Sequence, residues 1–283
     1  MTVTTVSYQR RRPTRARVGS VMRGVGIAVV TLLFVFPLLW MLSAAFKSSL
    51  QIIDPSYTIR FTPTLTNFET VFRVQAFGQY IVNSFIVAVG STLIALLLGV
   101  PAAYGIARYR IKQATTFVLM ARVIPGVSLL VPWYFLFSQL RIVGTYGVLI
   151  LTHIFVTMPL VIAIMSGFFE GLPEEIEESA MIDGCSRLTA FLRITLPLSV
   201  PGIATSTILS FIFSWNNFLF ALVLSNRNSR TLPVAIANFT SYASVDWGGL
   251  MAAAVVITLP VMIIALFAQR YVVAGLTSGA TKG

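Results

Sequence analysis

The chain has 283 residues, of which 57% are hydrophobic and 10% charged, with a mean hydropathy of +0.86. A soluble domain carries about 25% charged residues, so a soluble globular protein is excluded. The formal charge of +11 does not indicate nucleic-acid binding, because the basic residues lie in short segments between apolar stretches and not on one soluble basic face.

A hydrocarbon core about 30 Å thick requires about 20 helical residues to cross it. Six apolar runs reach that length, at about 24–46, 83–107, 115–138, 147–169, 201–225 and 249–269. The expected fold is therefore an all-α integral membrane protein with six transmembrane helices. A basic tail (1–23) precedes a transmembrane domain (24–273), and a short tail (274–283) follows it. The first run resembles a signal peptide in following arginines and ending at Ser43, Ala44 and Ala45. A cleavable signal has an apolar core of only about 7 to 15 residues, so the run reads as a retained anchor.

Placing the N-terminus in the cytoplasm puts Arg10, Arg11, Arg12, Arg15, Arg17, Arg23, Arg108, Arg110, Lys112, Arg187, Arg193, Arg270 and Lys282 inside. Lys47, Arg60, Arg73, Arg141, Arg227 and Arg230 then lie outside. The positive-inside rule favours this arrangement, a multi-pass cell-membrane protein with both termini cytoplasmic. Pro37, Gly99, Pro101, Pro125, Gly126, Pro132, Pro159 and Pro260 interrupt the spans. They read either as kinks and close-packing sites or as joints of a bundle that changes shape.

Every carboxylate falls outside the apolar spans, which disfavours proton coupling through an intramembrane acid. His153 reads as a hydrogen-bonding partner between packed helices. Arg122, within the third span, reads either as lining a pathway or as snorkelling to the cytoplasmic surface. The only lysines are Lys47, Lys112 and Lys282, none after a glycine, so a phosphate loop of the GxxxxGK type is absent. No HExxH or GxSxG occurs. With single copies of Cys185 and His153, neither an intramolecular disulfide nor a His/Cys metal site can form. No catalytic residue, metal site or cofactor site is assigned.

Between the fourth and fifth spans, at about 170–200, lies EGLPEEIEESAMIDGCSRLTAFLRITLPLSVP. Pro173 suits a first helical position, Glu174 and Glu175 favour the helix dipole, and Gly184 can terminate the helix, which predicts a helix over 173–183. Ser186 predicts an N-cap for a second helix through Ile194, stopped by Pro197. The result is a helical hairpin, whose first helix puts Ile176, Ala180 and Asp183 on one docking side.

This stretch resembles the EAA loop of ABC importer permeases: EAA, three residues, Gly, nine residues, Ile, one residue, Leu-Pro. The matching positions are Glu178, Ser179, Ala180, Gly184, Ile194, Leu196 and Pro197, and Ser179 is the one departure. More broadly the chain resembles the smaller permease subunit of maltose-type carbohydrate ABC importers. The matching stretches are Asn83-Ser84, Ala103-Tyr104 before Arg108, Ile124-Pro125, Ile182-Asp183-Gly184, Trp215-Asn216-Asn217-Phe218 and Gly275 to Gly283.

The resemblance implies that the loop, with Asp183 among its contacts, is a cytoplasmic coupling helix seated in a cleft of a separate ATPase. It also implies a second permease subunit forming a heterodimer, two ATPase subunits holding ATP and magnesium, an extracytoplasmic solute-binding protein and a carbohydrate substrate. Trp215, Asn216 and Asn217 read either as interhelical packing groups or as pathway and gate residues, since amides and aromatic rings suit sugar hydroxyls and apolar faces. Three rivals remain: a permease of this kind for a non-sugar solute, a self-contained carrier or channel, and a membrane enzyme.

Overall fold

The computed structural model describes residues 14–240 and 245–278. Arg10 to Arg12 of the basic tail and residues 279–283 of the C-terminal tail lie outside this range. The described residues are helical apart from turns and one isolated bridge between Thr240 and Val245.

Four helices are long and apolar enough to cross a membrane. They are α1 (Thr14–Ala45), α2 (Phe77–Arg108), α5 (Tyr146–Glu170) and α10 (Trp247–Ser278). The expected third span is instead two helices, α3 (Lys112–Val123) and α4 (Gly126–Gln139), meeting at 87°. The break has a local cause. Pro125 has no N–H to donate and holds Ile124 out of the helical region, at φ −65° and ψ 118°. By contrast Pro37, Pro101, Pro159 and Pro260 all sit inside continuous helices.

The expected fifth span also differs. Helix α8 (Val200–Trp215) stops at Asn216, and after a short break α9 (Leu219–Leu224) resumes. Two bent pairs, α3 with α4 and residues 187–198 with α8, each counted as one span, give up to six crossings.

Helices α2 and α5 form the central pair, with α8 packed against both and α10 linking α8 to the end of α1. At Gly99 of α2 an added Cβ would lie 2.9 Å from Val161 of α5, so glycine permits this approach. His153 shares a 2.7 Å hydrogen bond with Ser214, which also accepts from Ser91 at 2.9 Å. This buried polar chain ties α5, α8 and α2 together. Among apolar neighbours such a bond has little competition from water.

The loops at the end of the bundle away from residues 170–199 are pinned by buried amides. Asn83 donates to the carbonyls of Asn228 and Arg230, each at 2.8 Å, and accepts from Tyr146 at 2.7 Å and from Gln79 at 2.9 Å. The adjacent Ser84 hydroxyl accepts from the Leu232 N–H at 2.8 Å. The Asn83-Ser84 pair thus rivets the loop between α9 and α10 to α2. Asn67 similarly donates to the carbonyls of Ala45 and Lys47, each at 2.8 Å, at the end of α1. Along residues 19–40 α1 is bare, with Leu32, Leu33 and Phe34 about 70% exposed.

Candidate functional site

The hairpin between α5 and α8 is built from α6 (Glu175–Ile182) and α7, a helix over Arg187–Leu198. Helix α6 begins at Glu175 and not at Pro173, with Glu174 as its N-cap. Its end is a Schellman motif. The N–H of Gly184 donates to the Met181 carbonyl at 3.1 Å, and that of Cys185 to the Ala180 carbonyl at 3.0 Å. Gly184 stands at φ +92°, which a side chain would strain. Ser186 caps α7 by accepting from the Thr189 N–H at 3.2 Å.

Pro197 does not stop the second helix. A π-turn at Phe191–Thr195 shifts the hydrogen-bond register just before it, so the Leu196 N–H donates to the Phe191 carbonyl, and the helix continues to Leu198. The break falls at Ser199, where α7 and α8 meet at 72°. The Ser199 hydroxyl donates to the Thr195 carbonyl at 2.7 Å there.

The hairpin has an outer and an inner side. Glu178, Ser179, Asp183 and Gly184 are exposed, and beside them Ile182 and Leu188 present bare apolar side chains, Ile182 at 85% exposure. Pro197 is exposed, whereas Ile194 and Leu196 are half-buried. Leu196 packs on a cluster of Tyr104, Phe169 and Phe191. Ala180 faces the body of the protein, 7% exposed, while Ile176 and Asp183 are exposed. The expected docking side of Ile176, Ala180 and Asp183 is therefore split. The most exposed apolar groups are Ile182 and Leu188, which helical spacing within α6 alone does not pick out.

Glu177 is the buried carboxylate of the loop, 6% exposed. Its Oε1 accepts from Arg108 Nε at 3.0 Å, Arg108 Nη2 at 2.7 Å and the Thr195 hydroxyl at 2.6 Å. Its Oε2 accepts from the Tyr104 hydroxyl at 2.8 Å. Burial works to raise this carboxyl, but the hydrogen bonds from Arg108, Thr195 and Tyr104 and the Arg108 charge outweigh it. The net effect holds Glu177 below the usual carboxylate range. Arg108 also reaches the carbonyls of Phe169 and Leu172, each at 3.4 Å, where the end of α5 favours a cation. None of these residues stood out in the sequence except through the Ala103-Tyr104 and Arg108 match.

A second region forms at the two helix breaks. Asn216, Asn217, Gly126, Val156 and Phe213 border a cavity of about 500 Å³. Arg122 borders a neighbouring one of about 230 Å³ that shares Gly126, Val156 and Phe213. Arg122 is exposed and takes no part in the ion pairs among the described residues. Asn216 donates to the Ile212 carbonyl at 3.0 Å, and Asn217 accepts from the Phe220 N–H at 3.2 Å, closing the end of α8 and the start of α9. Trp215 lies elsewhere. It is 3% exposed, its indole N–H donates to the Ile257 carbonyl of α10 at 3.2 Å, and Phe211 stacks on it.

The family model described as binding-protein-dependent transport system inner membrane component matches residues 95–278. The chain is 37% identical over 253 residues to the trehalose transport system permease protein SugB of Mycobacterium tuberculosis, covering 87% of this chain and 92% of that protein. It is 34% identical over 270 residues to the sulfoquinovosyl glycerol transport system permease protein SmoH of Agrobacterium fabrum, covering 94% and 95% respectively. In structure it resembles a chain of a bacterial ABC transporter involved in import of the acidic polysaccharide alginate. The TM-score is 0.74 at 19% identity, covering 94% of this chain and 99% of the other. The chain thus belongs to the family of inner membrane components of binding-protein-dependent transport systems.

Proposed function

We propose that this chain is a non-catalytic permease subunit of an ABC importer for a carbohydrate, forming half of the translocation pathway and receiving the ATPase stroke through the α6–α7 hairpin. The single observation that carries this reading is the outer side of that hairpin. It presents Glu178, Asp183, Gly184, Ile182 and Leu188 from a turn whose geometry is closed by hydrogen bonds and whose inner side is anchored. Exposed apolar groups beside charges, held rigidly at one end of a membrane bundle, suit a protein cleft better than water.

The hairpin end is then cytoplasmic. Arg108, Arg110, Arg187 and Arg193 gather there, in keeping with positive charge inside, and with six crossings both termini face the cytoplasm. Two ATPase subunits hold ATP and magnesium below, and a second permease completes the pore as a heterodimer. A solute-binding protein delivers substrate to the opposite face. Lipid covers whatever part of bare α1 the second permease does not.

Relatives named for trehalose, sulfoquinovosyl glycerol and diacetylchitobiose transport support a glycoside as cargo. The cavities beside Asn216, Asn217 and Arg122 are this chain's share of the pathway, where amides pair with hydroxyls. ATP binding closes the ATPase dimer, moves the hairpin and turns the pathway outward.

Gentle detergent extraction of the tagged chain from its own cells tests the assembly. The expected result is co-purification of an ATPase and a second permease in stoichiometric amounts. A chain recovered alone or only with itself would overturn the reading in favour of a self-contained carrier.

A further inference from the structure

The hairpin must be fastened to the bundle for any movement of α6 to reach the spans, and most of its contacts with the bundle are apolar. The attraction within the cluster of Tyr104, Phe169, Phe191 and Leu196 is non-directional. The Glu177 carboxylate is different. It receives four hydrogen bonds from three side chains, two of them on α2 and one on α7. Through Arg108 it also reaches the carbonyls at the end of α5. The side chains of the Arg108–Glu177 pair are only 7% and 8% exposed, so water and salt screen the pair little.

A buried ion pair is weak evidence for stability, because well-packed apolar residues often serve as well or better. Its distinctive contribution is fixed geometry. Three of the four directional bonds fix the position and rotation of α6 relative to α2, the fourth ties α6 to α7, and the contacts of Arg108 with the Phe169 and Leu172 carbonyls extend the restraint to the end of α5. The other ion pair of the hairpin, Arg110 with Glu174 at 3.2 Å, is exposed on both sides and offers no comparable restraint.

We infer that Glu177, clamped by Arg108, Tyr104 and Thr195, is the joint that makes α2 and α5 follow the coupling helix. Glu177 is thus a positioning residue for transport, distinct from the outward residues that meet the ATPase. This rests on the coupling role proposed above for the hairpin. Loss of the joint leaves an importer that assembles and hydrolyses ATP but no longer links hydrolysis to the spans. The structural alternative predicts only a less stable or less abundant complex.

The test uses the whole transporter, with its second permease, ATPases and binding protein, purified and reconstituted in lipid. Two ratios are read: ATPase rate with substrate-loaded binding protein over the rate without it, and substrate imported per ATP hydrolysed. Glu177→Gln is expected to assemble and to lower both ratios about tenfold, within the usual span of coupling effects. Tyr104→Phe, which removes one bond and little volume, is expected to lower them about twofold to threefold, as suits one hydrogen bond.

Glu177→Gln also leaves Arg108 buried and unpaired, so a folding defect must be separated from uncoupling. Arg108→Met/Glu177→Leu removes both charges, leaves no buried charge unpaired, and is expected to assemble while staying uncoupled. Recovery of both ratios in this double variant, or unchanged ratios in an assembled Glu177→Gln complex, would overturn the joint. A wild-type complex whose ATPase ignores the loaded binding protein would instead overturn the coupling reading and the joint with it.

Discussion

Gly184→Glu is expected to reduce uptake to background while leaving membrane insertion and pairing with the second permease intact. Gly184 lies at φ +92° on the exposed turn of the hairpin, and a Cβ there meets no atom within 4 Å. Within this chain the cost is therefore backbone strain, about 1–2 kcal/mol, confined to one turn. The larger effect is outward. A carboxylate is added next to Asp183 on the exposed turn that also bears Ile182, the side proposed to enter the ATPase cleft.

Gly184→Asn separates the two contributions, because asparagine accepts positive φ more readily and adds no charge. It is expected to retain more uptake than Gly184→Glu. Uptake of the sugar captured by the binding protein, measured with pull-down of the ATPase through the tagged permease, reads both. Normal uptake by Gly184→Glu would contradict the docking role.

The second large effect is expected at the helix breaks. In a Cys185→Ser background the chain has no other cysteine, so Asn216→Cys places a single thiol at the rim of the 500 Å³ cavity. Modification with a bulky, membrane-impermeant thiol reagent is expected to lower uptake at least about tenfold, equivalent to about 1.4 kcal/mol on the transport barrier. Recovery of the ATPase with the permease should not change. Trp215→Cys in the same background is expected to resist the reagent, since Trp215 is buried against α10. Full transport after complete labelling at Asn216 would assign the amides to helix closure alone.

The long spans are legible in the sequence because hydropathy acts over about 20 residues and the bilayer demands that length. The hairpin turn is legible because Gly184 and Ser186 act locally: a positive φ and a side-chain cap are decided by the residue itself. The bends are less so. Pro125 breaks a helix, while Pro101 and Pro159 sit inside continuous helices. Pro197 is passed because a π-turn prepares for it, a detail without a local sequence mark.

Glu177 was hidden for a different reason. It stands among Glu174, Glu175 and Glu178, and nothing in that run distinguishes it. Its partners Arg108 and Tyr104 lie 69 and 73 residues away, so only packing of α2 against the hairpin reveals which glutamate is buried. Trp215 illustrates the converse. Its neighbours Asn216 and Asn217 face the cavity, but one step along the chain the indole turns into the α8–α10 interface.

Cys185 provides the most direct test of the central claim that this hairpin meets the ATPase. It is half-buried, follows Gly184 in the turn and is the single cysteine of the chain. A short thiol-to-amine cross-linker applied to the wild-type transporter in native membranes is expected to join this chain to an ATPase subunit through Cys185, with a yield that changes when ATP is bound. An intact complex in which the cross-linker reacts at Cys185 yet captures no ATPase subunit would contradict the account.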